Sequence, residues 1–116
     1  RVTTADGEMF TIPCEAIFNT HPGVFRSALV GIGQRPRQQP VICIERSPEG
    51  CRMDRRQLTE ELLTVAASSP LTRSIGGMLY HPGFPVDIRH NSKIFREKLA
   101  VWAERRANKM IRPDGA

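Results

Sequence analysis

"VFRSALVGIGQRPRQQPVICIE", residues 24–45, holds two apolar runs separated by a polar break. Residues 24–31 are rich in apolar side chains and read as a core strand. Residues 34–39 set Pro36 between Arg35 and Arg37, the composition of an exposed loop. Residues 40–45 form the next strand. There Val41 and Cys43 alternate with Ile42 and Ile44, so both faces are expected to be buried.

Upstream, residues 1–4 and 9–12 flank Ala5-Asp6-Gly7-Glu8, and Asp-Gly signals a hairpin. Ile12-Pro13 opens a short helix, because proline suits a first turn. Ala16, Ile17 and Phe18 are expected to face inward, and His21-Pro22-Gly23 ends the helix. Downstream, residues 47–52 read as a turn. Asp54 with Gln57 resembles a capping box, and Leu58, Leu62, Leu63, Val65 and Ala66 then recur at helical spacing until Ser68-Ser69-Pro70. Residues 75–80 predict a third strand. Pro82, Gly83 and Pro85 enforce an irregular connection. Beyond it Phe95, Leu99 and Trp102, with Ile94 and Val101, define the apolar face of a last helix, which puts Lys93 at or just before its N-terminus. The predicted class is α+β: a small sheet of about three strands with flanking helices, preceded by a β-hairpin. No internal repeat is evident.

At 116 residues the chain is one domain with a modest core, and 40% apolar and 25% charged residues give it a globular composition. No run approaches the roughly 20 apolar residues of a membrane span, and no signal peptide is visible. A start at Arg1, directly on a strand-like segment, leads us to expect a fragment or processed chain that lacks an N-terminal partner domain. Cys14, Cys43 and Cys51 form no CxxC pair and read as reduced thiols of a cytoplasmic protein, the first and second on core positions. His21, His81 and His90 show no metal-ligand spacing, so no metal site is expected in this chain. Gly31-Ile32-Gly33 fails the GxGxxG spacing and reads as a loop glycine pair.

The formal net charge is +5, and the bases crowd toward the C-terminus. Arg89, Lys93, Arg96, Lys98, Arg105, Arg106, Lys109 and Arg112 stand against Glu97 and Glu104. Nucleic acid, an anionic membrane or a phosphorylated small molecule would suit such a stretch, and so would a merely solvated helix face. A basic nucleic-acid-binding module is the alternative function. Tyr80 and Trp102 are too sparse for a base-stacking platform, which makes nucleic acid a poor partner.

Lys93 lies in "RHNSKIFREK", residues 89–98, between the proline-bounded loop and the last helix. His90, Asn91 and Ser92 before it can fix backbone geometry. A lysine ammonium is a compact charge that can move to meet phosphate or carboxylate. The residues alone make Lys93 a candidate anion-contacting side chain on a mobile element.

Three segments, in order across nearly the whole chain, resemble the C-terminal lid domain of the adenylate-forming superfamily. "RVTTADGEMFTIPCEAIFNTHPGV" is similar to the family's hairpin after the hinge, its Pro-x-Glu helix and the His-Pro-x-Val that follows. "FRSALVGIG" with "PVICIE" resembles the next two strands. "FPVDIRHNSKI" stands where the family has Pro-Thr-x-x-Gly-Lys-Ile, so Lys93 falls on the catalytic lysine. Ser92 replaces the usual glycine, His90-Asn91 the usual small residues, and Glu15 alone represents the acidic pair of the first helix. The spacing from Gly7 to Glu15 also departs by one residue from the pattern. "PVDIRHNSKIFREKLAVWA" is most like the long-chain acid ligases of bacterial olefin biosynthesis, which make β-lactones from β-hydroxy acids.

The resemblance implies that residues 1–116 are a lid, with 1–12 the hairpin after the hinge and 93–112 the C-terminal helix and tail. It implies an ATP-dependent enzyme that makes an acyl-AMP and then a β-lactone or a thioester, the isolated lid being inactive. Lys93 would serve adenylation, Asp6, Gly7 and Glu8 the second step, and Arg89, His90, Asn91 and Ser92 would shape the lysine loop. ATP and Mg²⁺ would be held mainly by the N-terminal domain of the same polypeptide. A fatty or β-hydroxy acid, CoA and pathway enzymes complete the implied partners.

Overall fold

A computed structural model describes residues 1–87, Arg89 and 93–113. Its centre is the predicted pair of strands. β1 (Val2–Thr4) and β2 (Gly7–Met9) form the leading hairpin, and α1 (Thr11–Phe18) follows. β3 (Val24–Ile32) and β4 (Gln39–Arg46) then run antiparallel with Ala28 opposite Cys43, and the register shifts once between Val24 and Arg26. α2 (Pro48–Arg52) and α3 (Arg55–Ala67) lead to β5 (Gly77–Tyr80), which joins β4 in parallel to give the order β3-β4-β5. β6 (Val86–Asp87) and β7 (Lys93–Ile94) make a second small hairpin before α4 (Arg96–Arg105) and a 3₁₀ turn, Ala107–Lys109. Ile111 adds a last bridge to Met78 on β5. The architecture is α+β, as the sequence predicted, with a three-stranded mixed sheet behind a hairpin.

Alternation along β4 sorts the interior into two clusters, one on each face of the sheet. Ile42 and Ile44 join Leu29 and Met78 in packing against Phe18 of α1 and Leu58 and Leu62 of α3. Val41 and Cys43 join Ala28, Val30 and Leu79 in packing against Phe84 and against Leu99 and Ala103 of α4. Each fully buried aliphatic side chain contributes about 1.5–3 kcal/mol. Burial of β4 on both faces is thus what the alternating apolar run required.

Several local expectations are corrected. Gly7 and Glu8 belong to β2, not to a four-residue turn, and Ala5-Asp6 alone make the reversal, closed by Thr4 Oγ1 donating to the Gly7 carbonyl at 2.9 Å. Gly7 has φ +126°, where side chains with a Cβ are strained. Ala16 is exposed, because the inward stripe of α1 runs through Cys14, Glu15 and Phe18. Residues 48–52 form the helix α2, capped by Ser47 Oγ accepting the Gly50 N–H at 3.0 Å, with Pro48 in its first turn. Asp54 does cap α3 by position, but its side chain makes no cap bond and the Gln57 amide donates to Glu61 instead. Val101 is 50% exposed, since α4 turns Leu99 and Ala103 to the sheet.

His-Pro-Gly occurs twice and folds the same way both times. The Nδ1 atoms of His21 and His81 each accept the N–H of the glycine two residues on, both at 2.9 Å. The first copy ends the α1 segment and the second follows β5.

Candidate active-site lysine and its anchor

Lys93 does not abut the helix. It is paired across from Asp87 in the β6–β7 ladder, three residues ahead of α4, and its side chain is exposed. Extended backbone here follows from what the flanks bind. Ile94 pairs with Val86, and the Phe95 N–H donates to the Pro85 carbonyl at 2.8 Å, which holds the segment in a ladder until Arg96. Val86 and Ile94 pack on the α4 side of the sheet beside the buried Phe84. The Phe84 N–H donates to Glu45 Oε1 at 2.9 Å, and the same oxygen accepts Arg26 Nε at 2.7 Å. A hydrogen-bonded and packed base therefore carries an exposed lysine.

The stronger anchor comes three residues after Lys93. Arg96 donates through both terminal nitrogens to the two carboxylate oxygens of Glu15, at 2.5 and 2.6 Å, across 81 positions of sequence. Glu15 is only 7% exposed and also accepts the Leu29 N–H at 2.8 Å. β3 is an edge strand, so the Leu29 amide would otherwise lack a ladder partner. Next to it Ser27 Oγ donates to Asn19 Oδ1 at 2.8 Å. A buried carboxylate is costly unless charge-matched and hydrogen-bonded, and a forked Arg–carboxylate pair supplies both. Glu15 and Arg96 thus fasten α1, at the end of the first hairpin, to the start of α4.

Asp6, Gly7 and Glu8 lie together in the exposed first hairpin, beside a cavity of about 230 Å³ that Pro13, Leu71 and Ser74 also line. Glu8 accepts Arg1 Nη1 at 3.0 Å. Through Val2 and Met9 this hairpin joins the α1–α3 cluster, whereas the Lys93 hairpin joins the α4 cluster, so the structure does not bring these two predicted sites together. Arg89 is exposed, and His90, Asn91 and Ser92 lie outside the described residues. Sequence reasoning took Glu15 as the survivor of an acidic pair and Arg96 as one base among many. A lone acid on the inward stripe of α1 was the available signal, because such a group demands a cation.

Other titratable groups have structural surroundings. Burial pushes the Cys43 thiol up to about 12, and burial with the Glu15 charge also raises Cys14. Both are inert core groups. His81 sits 4.4 Å from the Trp102 ring and 5.5 Å from Phe84, centroid to centroid. Burial lowers its pKa; Glu45 opposes that shift and Arg106 adds to it.

No family model matches the chain. In solved structures the fold recurs in the anthranilate CoA ligase AuaEII in complex with anthranoyl-AMP, with a TM-score of 0.74, 19% identity, and coverage of 92% of this chain and 20% of that one. It recurs in the ATP-bound chimera RpMatB-BxBclM at 0.72 and 15% identity, over 89% of this chain and 20% of that one. The amide bond synthetase McbA of Marinactinospora thermotolerans gives 0.67 and 16% identity, over 87% and 19%. The chain thus shares the fold of a domain found in these ligases and synthetases.

In sequence the chain is similar to curated proteins named olefin β-lactone synthetase. That of Xanthomonas campestris pv. campestris is 50% identical over 103 residues, and that of Stenotrophomonas maltophilia 48% identical over 103 residues. The chain spans 18% of the length of each, with 89% of its own residues matched.

Proposed function

We propose that the chain is the lid of an ATP-dependent ligase that activates a long-chain β-hydroxy acid as acyl-AMP and then closes a β-lactone, with Lys93 supplying charge during adenylation. The observation that carries this is the 50% identity to an olefin β-lactone synthetase across 103 residues, and the resemblance of residues 84–94 to the family's lysine motif supports the role given to Lys93.

In this reading the acid's carboxylate attacks the α-phosphorus of ATP, the bond to the β-phosphate oxygen breaks, and pyrophosphate leaves. Negative charge gathers on the α-phosphoryl oxygens, and a fixed cation lowers that barrier. Lys93 on its braced hairpin would bridge the carboxylate and the α-phosphate. In the second step the substrate's own hydroxyl attacks the acyl carbon and AMP leaves. The Gly7 hairpin then replaces the lysine loop at the site, where a backbone without a Cβ can approach a ligand closely. ATP and Mg²⁺ would be held mainly by an N-terminal domain of the same polypeptide, where Mg²⁺ would supply charge that offsets the phosphates. Thioester formation with CoA is the variant of the second step that an external thiol would give.

Lys93→Ala in the full-length enzyme is expected to slow ATP–pyrophosphate exchange by about 10²-fold, the usual loss of one electrostatic stabiliser. Turnover of a preformed acyl-adenylate should fall much less. Exchange within a few-fold of wild type would remove Lys93 from the mechanism.

A further inference from the structure

A groove of about 280 Å³ opens beside β5, lined by Tyr80, Trp102, Arg55, Arg106 and Lys109 among others, none of them acidic. It shares no residue with Lys93 or with the first hairpin. We propose that this groove binds a phosphate group, independently of the adenylation chemistry.

The arrangement of its cations carries the inference. Arg1, Arg26 and Arg96 each pair with a carboxylate. Among the described residues, no carboxylate lies within ion-pair distance of Arg55, Arg106 or Lys109, nor of Arg46 at the groove's margin. The arginines are instead held by rings, and Arg106 Nη1 also donates to the Trp102 carbonyl at 3.3 Å. Arg55 lies 4.7 Å and Arg46 5.3 Å from the Tyr80 centroid, and Arg106 lies 4.6 Å from that of Trp102.

The rings are themselves fixed. The Tyr80 hydroxyl is 2.7 Å from Thr59 Oγ1, and the Trp102 ring packs against His81 at a tilt of 56°. A guanidinium resting on an aromatic face still has N–H groups to offer oxyanions, which suits phosphate. Helix electrostatics favours Arg106 and Lys109 at the end of α4. Arg55, however, opens α3, where a cation is disfavoured. A bound anion offsets that cost and the mutual repulsion of the bases. The volume falls just below that of drug-sized pockets, roughly 300–1,000 Å³, which fits a phosphate or diphosphate and not a whole cofactor.

Such a group could belong to a soluble diphosphate or to a lipid headgroup, and the test separates them. Trp102 is the chain's one tryptophan, so its fluorescence reports directly on the groove. The 116-residue chain is titrated with inorganic pyrophosphate, and separately with phosphatidylcholine vesicles with and without phosphatidylglycerol. Saturable change with pyrophosphate, or with phosphatidylglycerol vesicles only, supports the site and names its source. The double variant Arg55→Gln with Arg106→Gln should weaken that binding at least ~10-fold, the loss expected from charge-assisted hydrogen bonds. Arg73→Gln, an exposed base elsewhere, should leave it unchanged. These exposed residues are replaceable without unfolding, which circular dichroism checks. No saturable change with either probe, or equal weakening in the control variant, overturns the proposal.

Discussion

Arg96 shows what a single side chain can carry in this fold. It closes the charge of Glu15, and through Glu15 it secures the Leu29 amide at the sheet edge. Arg96→Ala leaves a nine-tenths-buried carboxylate with one backbone donor. A fully buried pair broken from one side costs about 3–5 kcal/mol, and the Arg96 side chain is 37% exposed, so a loss of about 2–3 kcal/mol is expected in urea unfolding. The double variant Glu15→Leu with Arg96→Met should recover much of it, because no unpaired charge remains. A single-variant loss under 0.5 kcal/mol would show the pair to be ornamental.

The pair also marks a limit of sequence reading. Lys93 was legible because a motif surrounds it, while Glu15 and Arg96 owe their meaning to a contact across 81 positions. Spacing along a chain cannot announce such a contact.

Among the elements, the strands were the most legible and the short connectors the least. The apolar alternation of β4 has no exposed solution, so its burial on both faces followed from composition alone. Lys93 and Ile94 gave no such signal. Two residues cannot show a period, and only pairing with Val86 and Asp87 makes them a strand. The same holds for α2, five residues long, which a serine cap and a close contact sustain. A Cβ on Gly50 would stand 2.0 Å from the Gly23 carbonyl oxygen, and that oxygen also accepts the Ser47 N–H at 3.0 Å. Gly50→Ala must therefore push two backbone segments apart and is expected to cost about 2–3 kcal/mol. Gly83→Ala, with open space around the added carbon, is the matched control and should shift the urea midpoint little. Equal effects would refute the packing argument.

At the scale of the whole molecule, stability should depend on pH through His81. Its folded pKa lies below the ordinary histidine value of 6.5, chiefly because of burial, so below pH 6.5 the unfolded chain takes up the proton more readily. The stabilisation is complete above about pH 6.5 and is lost as pH falls toward the folded pKa. Glu61, held low by its hydrogen bond from His21, adds a loss of the same sign below its ordinary value of 4.5. Urea midpoints measured from pH 7.5 down to 5 should decline, and His81→Asn should flatten that decline. An unchanged slope in the variant would assign the effect elsewhere.

The three-stranded sheet has a working consequence of its own. It stands as a wall between two clusters, with the glycine hairpin fastened to one and the lysine hairpin to the other. Glu15 and Arg96 tie the two sides together around the β3 edge. If this body swings as the lid of a ligase, it acts as a turnstile: admitting one hairpin to the reaction centre withdraws the other. Order between the two half-reactions then needs no signal, because two loops mounted back to back on one rigid wall exclude each other in time.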